Sequence, residues 1–87
     1  MDKREFILDL ANRLILGGNT MPGSQLAIVL NNNGYRTTYG SEYVGARGTY
    51  TLIESIYNWF MALGRDDDAQ TVAEAFPTPD GRYAYEK

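Results

Sequence analysis

The side chains that most often carry out chemistry in proteins, histidine and cysteine, are both absent from this 87-residue sequence. Their absence excludes disulfides, zinc sites built from Cys and His, thiolate nucleophiles and every histidine-dependent catalytic triad. Without His, no side chain titrates near neutrality unless its pKa is strongly shifted. The glycine-containing segment 45–48 is also not a phosphate-binding loop, because it has no Lys after its glycines. We therefore predict a binding protein that is not an enzyme and carries no cofactor.

The three adjacent carboxylates at positions 66–68 are the candidate cation ligands of the chain. A Mg²⁺ or Ca²⁺ site, however, needs oxygen ligands that are spaced along a loop, usually with a Gly turn. Apolar residues follow the triplet at the spacing of a helix, within residues 69–76. We therefore expect one aspartate to cap a helix and the other two to interact with the positive end of its dipole. No metal site is predicted.

Arginine, threonine and asparagine side chains in the middle of the chain are suited to binding nucleic acid. Arginine pairs with phosphate groups, and hydroxyl and amide groups hydrogen-bond to base edges or to the DNA backbone. The alternative for the two arginines is that they are solvated or form ion pairs within the protein. The candidate nucleic-acid-binding residues are Arg36, Arg47, Thr49, Thr51 and Asn58.

The sequence is rich in aromatic side chains, with seven Tyr and one Trp. Tyr and Trp are enriched at the hot spots of protein interfaces, and aromatic rings also stack on unpaired bases. The alternative is that the tyrosines cover the core and that the Trp, at the edge of an apolar helix face, packs at the rim of the core. The candidate protein-binding residues are Trp59, Tyr35, Tyr39 and Tyr43.

Charge is distributed unevenly along the chain. Eight basic and eleven acidic residues give a net charge of −3 and a pI of about 4.7. Residues 1–50 contain five basic and four acidic residues, a net charge of +1, whereas residues 51–87 contain three basic and seven acidic residues, a net charge of −4. A nucleic-acid binder usually carries a basic excess, because phosphate neutralisation supplies most non-specific affinity. The uneven distribution leaves room for a basic face in the middle of the chain.

Four stretches of the sequence have the apolar spacing of amphipathic helices. A glycine or a proline follows each stretch and ends it. The third helix begins either at residue 48 or 49, or later, at a capping box formed by Thr51 and Glu54. The predicted helices cover residues 3–16, 22–32, 48–63 and 66–76.

Between the second and third helices lie strand-forming residues, mostly Tyr, Thr and Val, around a turn signal at positions 40–41. They predict a short hairpin within residues 35–47. Tyr35, Tyr39 and Tyr43 also have the i, i+4, i+8 spacing of a helix, but the glycines among them disfavour one.

The expected fold is mainly α, a single domain over residues 1–87 with four helices and a short β-hairpin between helices two and three. This arrangement is helix-turn-helix-like. The alternative is a winged helix whose wing is the tail, where a Pro-Asp-Gly turn precedes Tyr-Ala-Tyr. No stretch approaches the roughly 20 apolar residues that cross a bilayer, and no targeting signal is visible. We therefore expect a cytoplasmic protein without a membrane partner.

The segment 26–37, with the sequence LAIVLNNNGYRT, resembles the pattern LA-x-x-LN-x-x-G-x-R-T. This pattern is found in helix-turn-helix segments in the C-terminal region of serine recombinases and related phage regulators. The resemblance implies that a short loop leads from this segment into a second, DNA-facing helix at residues 48–63, with Arg36 and Arg47 near phosphates. Family members are basic along that second helix, whereas this chain offers Thr, Glu, Ser and Asn.

Two hypotheses of function follow from these residues. The first is a small regulatory protein with a helix-turn-helix-like core that acts on DNA or on a DNA-bound protein complex. The second is a protein-binding inhibitor or adaptor, in the manner of small acidic proteins from phages and mobile elements, that uses its aromatic and acidic surfaces. An exposed apolar helix face or an exposed Trp59 would also suit a homodimer, which the sequence does not establish.

Overall fold

Four α-helices account for most of the residues that the structure describes. The computed structural model describes residues 2–77, and the elements are α1 (Lys3–Leu16), α2 (Gly23–Asn32), α3 (Gly45–Ala62) and α4 (Asp66–Ala75). The prediction of a mainly α fold is confirmed. Residues 2–77 contain no strand, so the predicted β-hairpin is not found there. The alternative wing, in the tail 78–87, lies outside the described residues.

The first helix, α1, has the predicted bounds. Asp2 caps it, because its carboxylate accepts a hydrogen bond of 2.9 Å from the backbone N–H of Glu5. The apolar stripe of the helix buries Ile7 and Ala11 completely. The helix ends at Gly17, as predicted.

Helix α2 begins one residue later than predicted, because Pro22 is the N-cap rather than part of the first turn. Gly34, the predicted C-cap, is one residue beyond the observed cap and has a φ of 82°. Its N–H donates to the carbonyl of Asn31 at 3.1 Å. The N–H of Tyr35 donates to the carbonyl of Leu30 at 3.0 Å. These two bonds form a Schellman motif, in which the left-handed residue is usually Gly.

Helix α3 begins at Gly45, earlier than either predicted start, and no side chain caps it. The predicted capping box at Thr51 is therefore wrong. This residue lies inside the helix, where its hydroxyl donates a 3.3 Å hydrogen bond to the carbonyl of Arg47. Segment 45–48 adds a helical turn without a large apolar side chain, so apolar spacing does not reveal it. The helix ends just before Gly64, as predicted.

Asn31, and not a β-strand, pairs with the backbone that leads into α3. Its side-chain amide accepts a hydrogen bond from the N–H of Tyr43 at 2.8 Å and donates one to the carbonyl of Tyr43 at 2.9 Å. The predicted turn is present, since Gly40 has a φ of 83° and the N–H of Thr37 donates to the carbonyl of Ser41 at 2.8 Å. Outside this turn, the backbone N–H groups of Tyr35 and Tyr43 donate to α2 and not to each other's segment, so the pairing at the turn does not extend into two strands.

Helix α4 begins at the acidic triplet, which occupies its first turn. The prediction that one of these aspartates caps the helix is wrong, because the N-cap is Arg65 and makes no side-chain cap bond. The carboxylates lie instead where the positive end of the helix dipole stabilises them. Asp68 also accepts a 2.7 Å hydrogen bond from Nε of Arg65. The helix ends at Ala75, two residues before Pro77.

The core forms where α4 packs against both α1 and α3, and where α2 packs against α3. Gly23 allows the close approach of α2 to α3, because a Cβ at this position would lie 2.5 Å from Oγ1 of Thr49. Within residues 2–77, no helix combines the length and the apolar character that a membrane span requires. The largest fully buried side chains are Phe60, Phe76, Ile7, Leu26, Leu30, Ile53, Ile56, Val72 and Thr49.

Candidate functional site

One face of α3 points away from the core and carries polar side chains. Positions 47, 51, 54 and 58 share this face, because residues 4, 7 and 11 apart recur on one side of a helix with about 3.6 residues per turn. The half-buried Glu54 therefore brings one carboxylate to it. Arg47, Thr51 and Asn58 are exposed there, opposite the buried Ile53 and Phe60. We call Arg47, Thr51 and Asn58 the α3 strip.

Arg47 is the charged member of the α3 strip. Within residues 2–77, its guanidinium forms no ion pair and no hydrogen bond. It stands in the first turn of α3, where its side chain is exposed to solvent. The charge and the five N–H donors of this side chain are therefore available to a ligand.

A cleft of about 450 Å³ runs along α3 beside the strip. On the side of α3 it is lined by Gly48, Leu52, Ser55 and Thr51, the last of which also belongs to the α3 strip. The opposite wall consists of Lys3, in the first turn of α1, and of residues from segment 37–43. Most of the lining side chains carry a hydroxyl group, and none of them is a carboxylate. We call this depression the α3 cleft.

Lys3 brings a positive charge to the α3 cleft. Its Nζ donates to the carbonyl of Arg36 and, at 2.6 Å, to the hydroxyl of Tyr43. An ammonium group has three N–H donors, so these two bonds leave one for a ligand. Nothing in the sequence points to this residue as part of the site, because its partners are 33 and 40 positions away along the chain.

The α3 cleft continues toward the start of α1 into a second depression, lined by Asp2, Lys3 and Arg4 and, on α3, by Ser55. The carboxylate of Asp2 is the cap of α1 and accepts a hydrogen bond from the backbone there. Together the two depressions contain two cationic side chains and one carboxylate. Their combined charge is therefore positive, although the whole protein is acidic.

Arg36, a predicted nucleic-acid-binding residue, uses its guanidinium inside the protein. Its Nη1 donates to the carbonyls of Asn31 at 3.1 Å and Tyr35 at 2.8 Å, and its Nη2 lies 3.7 Å from a carboxylate oxygen of Glu42. The last carbonyls of a helix have no partners within it, and this side chain satisfies one of them at the end of α2. The structure therefore does not bring Arg36 together with the α3 strip.

Thr49, another predicted nucleic-acid-binding residue, is completely buried. Its hydroxyl lies 2.9 Å from the carbonyl oxygen of Gly23 and 2.7 Å from that of Ala46. A buried hydroxyl needs such partners, and these keep it at the contact between α2 and α3. The expectation that Thr49 contacts DNA is therefore wrong for this fold.

The three candidate tyrosines are in three different environments. Tyr35 is half-buried, with its ring 4.8 Å from that of Phe6. Tyr43 is buried, and its hydroxyl bonds to Lys3. Tyr39, at the turn, is 96% exposed and lines the α3 cleft. Of the three, Tyr39 alone has its ring fully available to a partner.

Trp59 lies at the edge of the apolar face of α3 and is 37% exposed. The guanidinium carbon of Arg4 stands 4.4 Å from the centre of its ring system, a cation–π contact. Its other neighbour is the ring of Phe60, at 5.3 Å. Leu63, four positions further along the chain, is also exposed, whereas the exposed Met61 faces the other side of the helix. We call Trp59 and Leu63 the apolar patch.

The acidic triplet forms no group suited to a metal ion, and residues 2–77 contain no cluster of three or more side chains that would hold one. Its carboxylates line a shallow depression with Gly64 and Arg65 instead. Asp68 is occupied by its bond to Arg65. The triplet is thus an acidic surface at the start of α4.

No protein-family model, no curated protein and no solved structure matches this chain. The geometry of the α3 strip, the α3 cleft and the apolar patch therefore carries the functional argument by itself.

Proposed function

We propose that the chain is a small regulatory protein, not an enzyme, that binds duplex DNA or a DNA-bound complex through the exposed face of α3. The observation that carries this proposal is the α3 strip with its unpaired Arg47, next to a cleft whose lining includes Lys3 and no carboxylate. Positive charge and hydroxyl donors are the groups that recognise a phosphate backbone.

The chemistry of each strip residue fits a role at DNA. Arg47 pairs with a phosphate or with the acceptor edge of guanine, and it stands in the first turn of α3, the end that a recognition helix directs at base edges. The amide of Asn58 pairs with adenine, and the hydroxyl of Thr51 bonds to a base or to the backbone. The strip offers a single cation, and the carboxylate of Glu54 lies on the same face of α3, so affinity for any duplex is expected to be modest.

Helices α2 and α3 supply the helix-turn-helix-like element of the proposal, with a difference in the connection. Residues 33–44, twelve in all, join the two helices, whereas the turn of a helix-turn-helix motif usually has three or four residues. The additional residues form the turn that carries Tyr39 beside the α3 cleft. In the proposed complex, α3 contacts DNA together with this turn.

The experiment measures the binding of a fluorescein-labelled random duplex by anisotropy at several salt concentrations. We expect Arg47→Ala to weaken binding about tenfold on every sequence, because one phosphate contact is lost. The slope of the logarithm of the binding constant against the logarithm of the salt concentration should become shallower by about one. Arg13→Ala is the matched control, because Arg13 is an exposed arginine of α1 outside the α3 cleft. It should change affinity less than about twofold. A wild-type protein that binds no duplex at low salt would refute the proposal.

The apolar patch favours a second function, the binding of a protein partner. Trp is the residue type most enriched at interface hot spots, and this one is partly exposed with an arginine stacked on it. Under this alternative, Trp59→Ala abolishes the affinity for a purified partner while the helical circular dichroism signal is kept. Arg47→Ala, which changes the other end of α3, leaves the affinity for that partner unchanged, so the two functions are separable.

A further inference from the structure

We infer that the α3 cleft is the channel for the sugar-phosphate backbone of one DNA strand, an inference that rests on the proposed function. A helix in the major groove has a phosphate backbone on each side, because the groove is about 12 Å wide and a helix with its side chains is about 10–12 Å across. The α3 cleft follows one side of α3, directly beside the strip. When the strip faces the bases, one strand therefore passes along the cleft.

The lining of the cleft has the chemistry that a phosphate backbone requires. Thr38 and Ser55 face it from opposite walls with hydroxyl groups, and Lys3 supplies the ammonium group. Hydroxyls and ammonium groups are common phosphate ligands, and each phosphate that a cation neutralises releases counterions. Leu52 gives the wall on α3 an apolar surface on which a deoxyribose can pack. No carboxylate lines the α3 cleft itself.

Gly48 leaves the α3 side of the cleft open, because it has no side chain. A Cβ at this position would meet no atom within 4 Å, so the space above it is open, and its φ is not in the left-handed region. The glycine is therefore not required by the backbone or by packing. A larger side chain at this position would extend into the α3 cleft and obstruct a strand without changing the charge.

The second depression indicates the path of the DNA strand across the surface of the protein. It continues the cleft past Ser55 toward the start of α1, where Lys3 and Arg4 flank the capping carboxylate of Asp2. The strand therefore runs from the turn that carries Tyr39 toward the first turn of α1. This path places Lys3 at its centre, because Lys3 lines both depressions.

Two variants test the channel by different physical effects in the same anisotropy assay. Ser55→Glu adds one negative charge to the cleft, and we expect binding to weaken five- to tenfold at about 50 mM salt, with the loss shrinking at higher salt as the charge is screened. Gly48→Leu fills the cleft, and we expect a similar loss that salt does not remove. Asn12→Asp, which adds the same charge on α1 outside the cleft, is the control for the first variant.

The outcomes separate this inference from the proposed function. Losses with both cleft variants, and less than a twofold change with the control, support the channel. If the wild type binds duplex, Arg47→Ala weakens it and both cleft variants bind like the wild type, the channel is overturned and the proposed function stands. If the wild type binds no duplex, both are overturned. Circular dichroism melting of each variant checks that the fold is intact.

Discussion

The side-chain amide of Asn31 offers one acceptor and one donor to the backbone of Tyr43, as an adjacent β-strand would. Other polar side chains that look suited to ligands are likewise used for the fold. Arg36 binds one carbonyl at the end of α2, and the hydroxyl of Thr49 bonds between helices. At the scale of single residues, the polar groups near α3 therefore divide into those that hold the connection and those, such as Arg47, that remain free for a partner.

Replacing Asn31 by Ala should lower the free energy of unfolding by about 1–3 kcal/mol, because two hydrogen bonds are lost and the backbone groups of Tyr43 lose their partners. The measurement is urea unfolding followed by circular dichroism. Asn32→Ala is the matched control, because Asn32 is its exposed neighbour in α2. That variant should change stability by less than about 0.5 kcal/mol. Equal stability of the two variants would show that the amide pairing is not needed.

At the scale of elements, the sequence predicts a helix wherever large apolar side chains recur at helical spacing. Helices α1, α2 and α4 therefore begin and end within about a residue of expectation. The start of α3 was missed because segment 45–48 has no such side chains. The hairpin was wrong because strand propensity is local, whereas the partner of Tyr43 is a side chain of α2.

The part of the candidate site that lies on α3 could be predicted from helical spacing, whereas the part that lies on α1 could not. Once α3 is known to be continuous, Thr49 falls on the face of Ile53, Ile56 and Phe60, so its burial follows from helical spacing alone. The exposure of the α3 strip follows in the same way. The role of Lys3 could not be predicted, because it depends on how α1 meets the connection between α2 and α3.

Replacing a glycine by alanine should have opposite effects on stability in α2, where Gly23 contacts α3, and in α3, where Gly48 faces open space. Gly23→Ala should destabilise the protein by about 1–3 kcal/mol, because its Cβ would lie 2.5 Å from Oγ1 of Thr49 and 2.9 Å from Cε1 of Tyr50. Gly48→Ala should stabilise it by about 0.5–1 kcal/mol, because the new methyl group meets nothing and alanine favours a helix. Thermal unfolding measures both. The same sign for the two variants would contradict this account of the helix contact.

At the scale of the whole molecule, charge is separated along α3. Its first turn carries Arg47, and the acidic triplet follows its C-terminal end at the start of α4. The 18 residues of the helix span about 27 Å at 1.5 Å per residue. Charges this far apart act on the same ligand only when salt is low, because the Debye length is about 30 Å at 0.01 M and about 8 Å at 0.15 M. The net charge of −3 therefore opposes DNA binding mainly at low salt.

Neutralising part of the triplet should reveal this long-range repulsion. In the double variant Asp66→Asn/Asp67→Asn, Asp68 keeps its bond to Arg65, and the net charge rises from −3 to −1 because two carboxylates are lost. We expect tighter duplex binding than that of the wild type at about 10 mM salt and equal binding at about 150 mM, because the repulsion between the triplet and the DNA is screened at the higher salt.

The loss of two carboxylates from the first turn of α4 costs about 0.3–1 kcal/mol each, so thermal unfolding must confirm that the variant is folded under both conditions. Tighter binding that persists at the higher salt would mean that the triplet lies at the DNA contact itself. If the protein instead binds a basic partner through this acidic surface, the same variant weakens that complex, and one pair of measurements distinguishes the two functions.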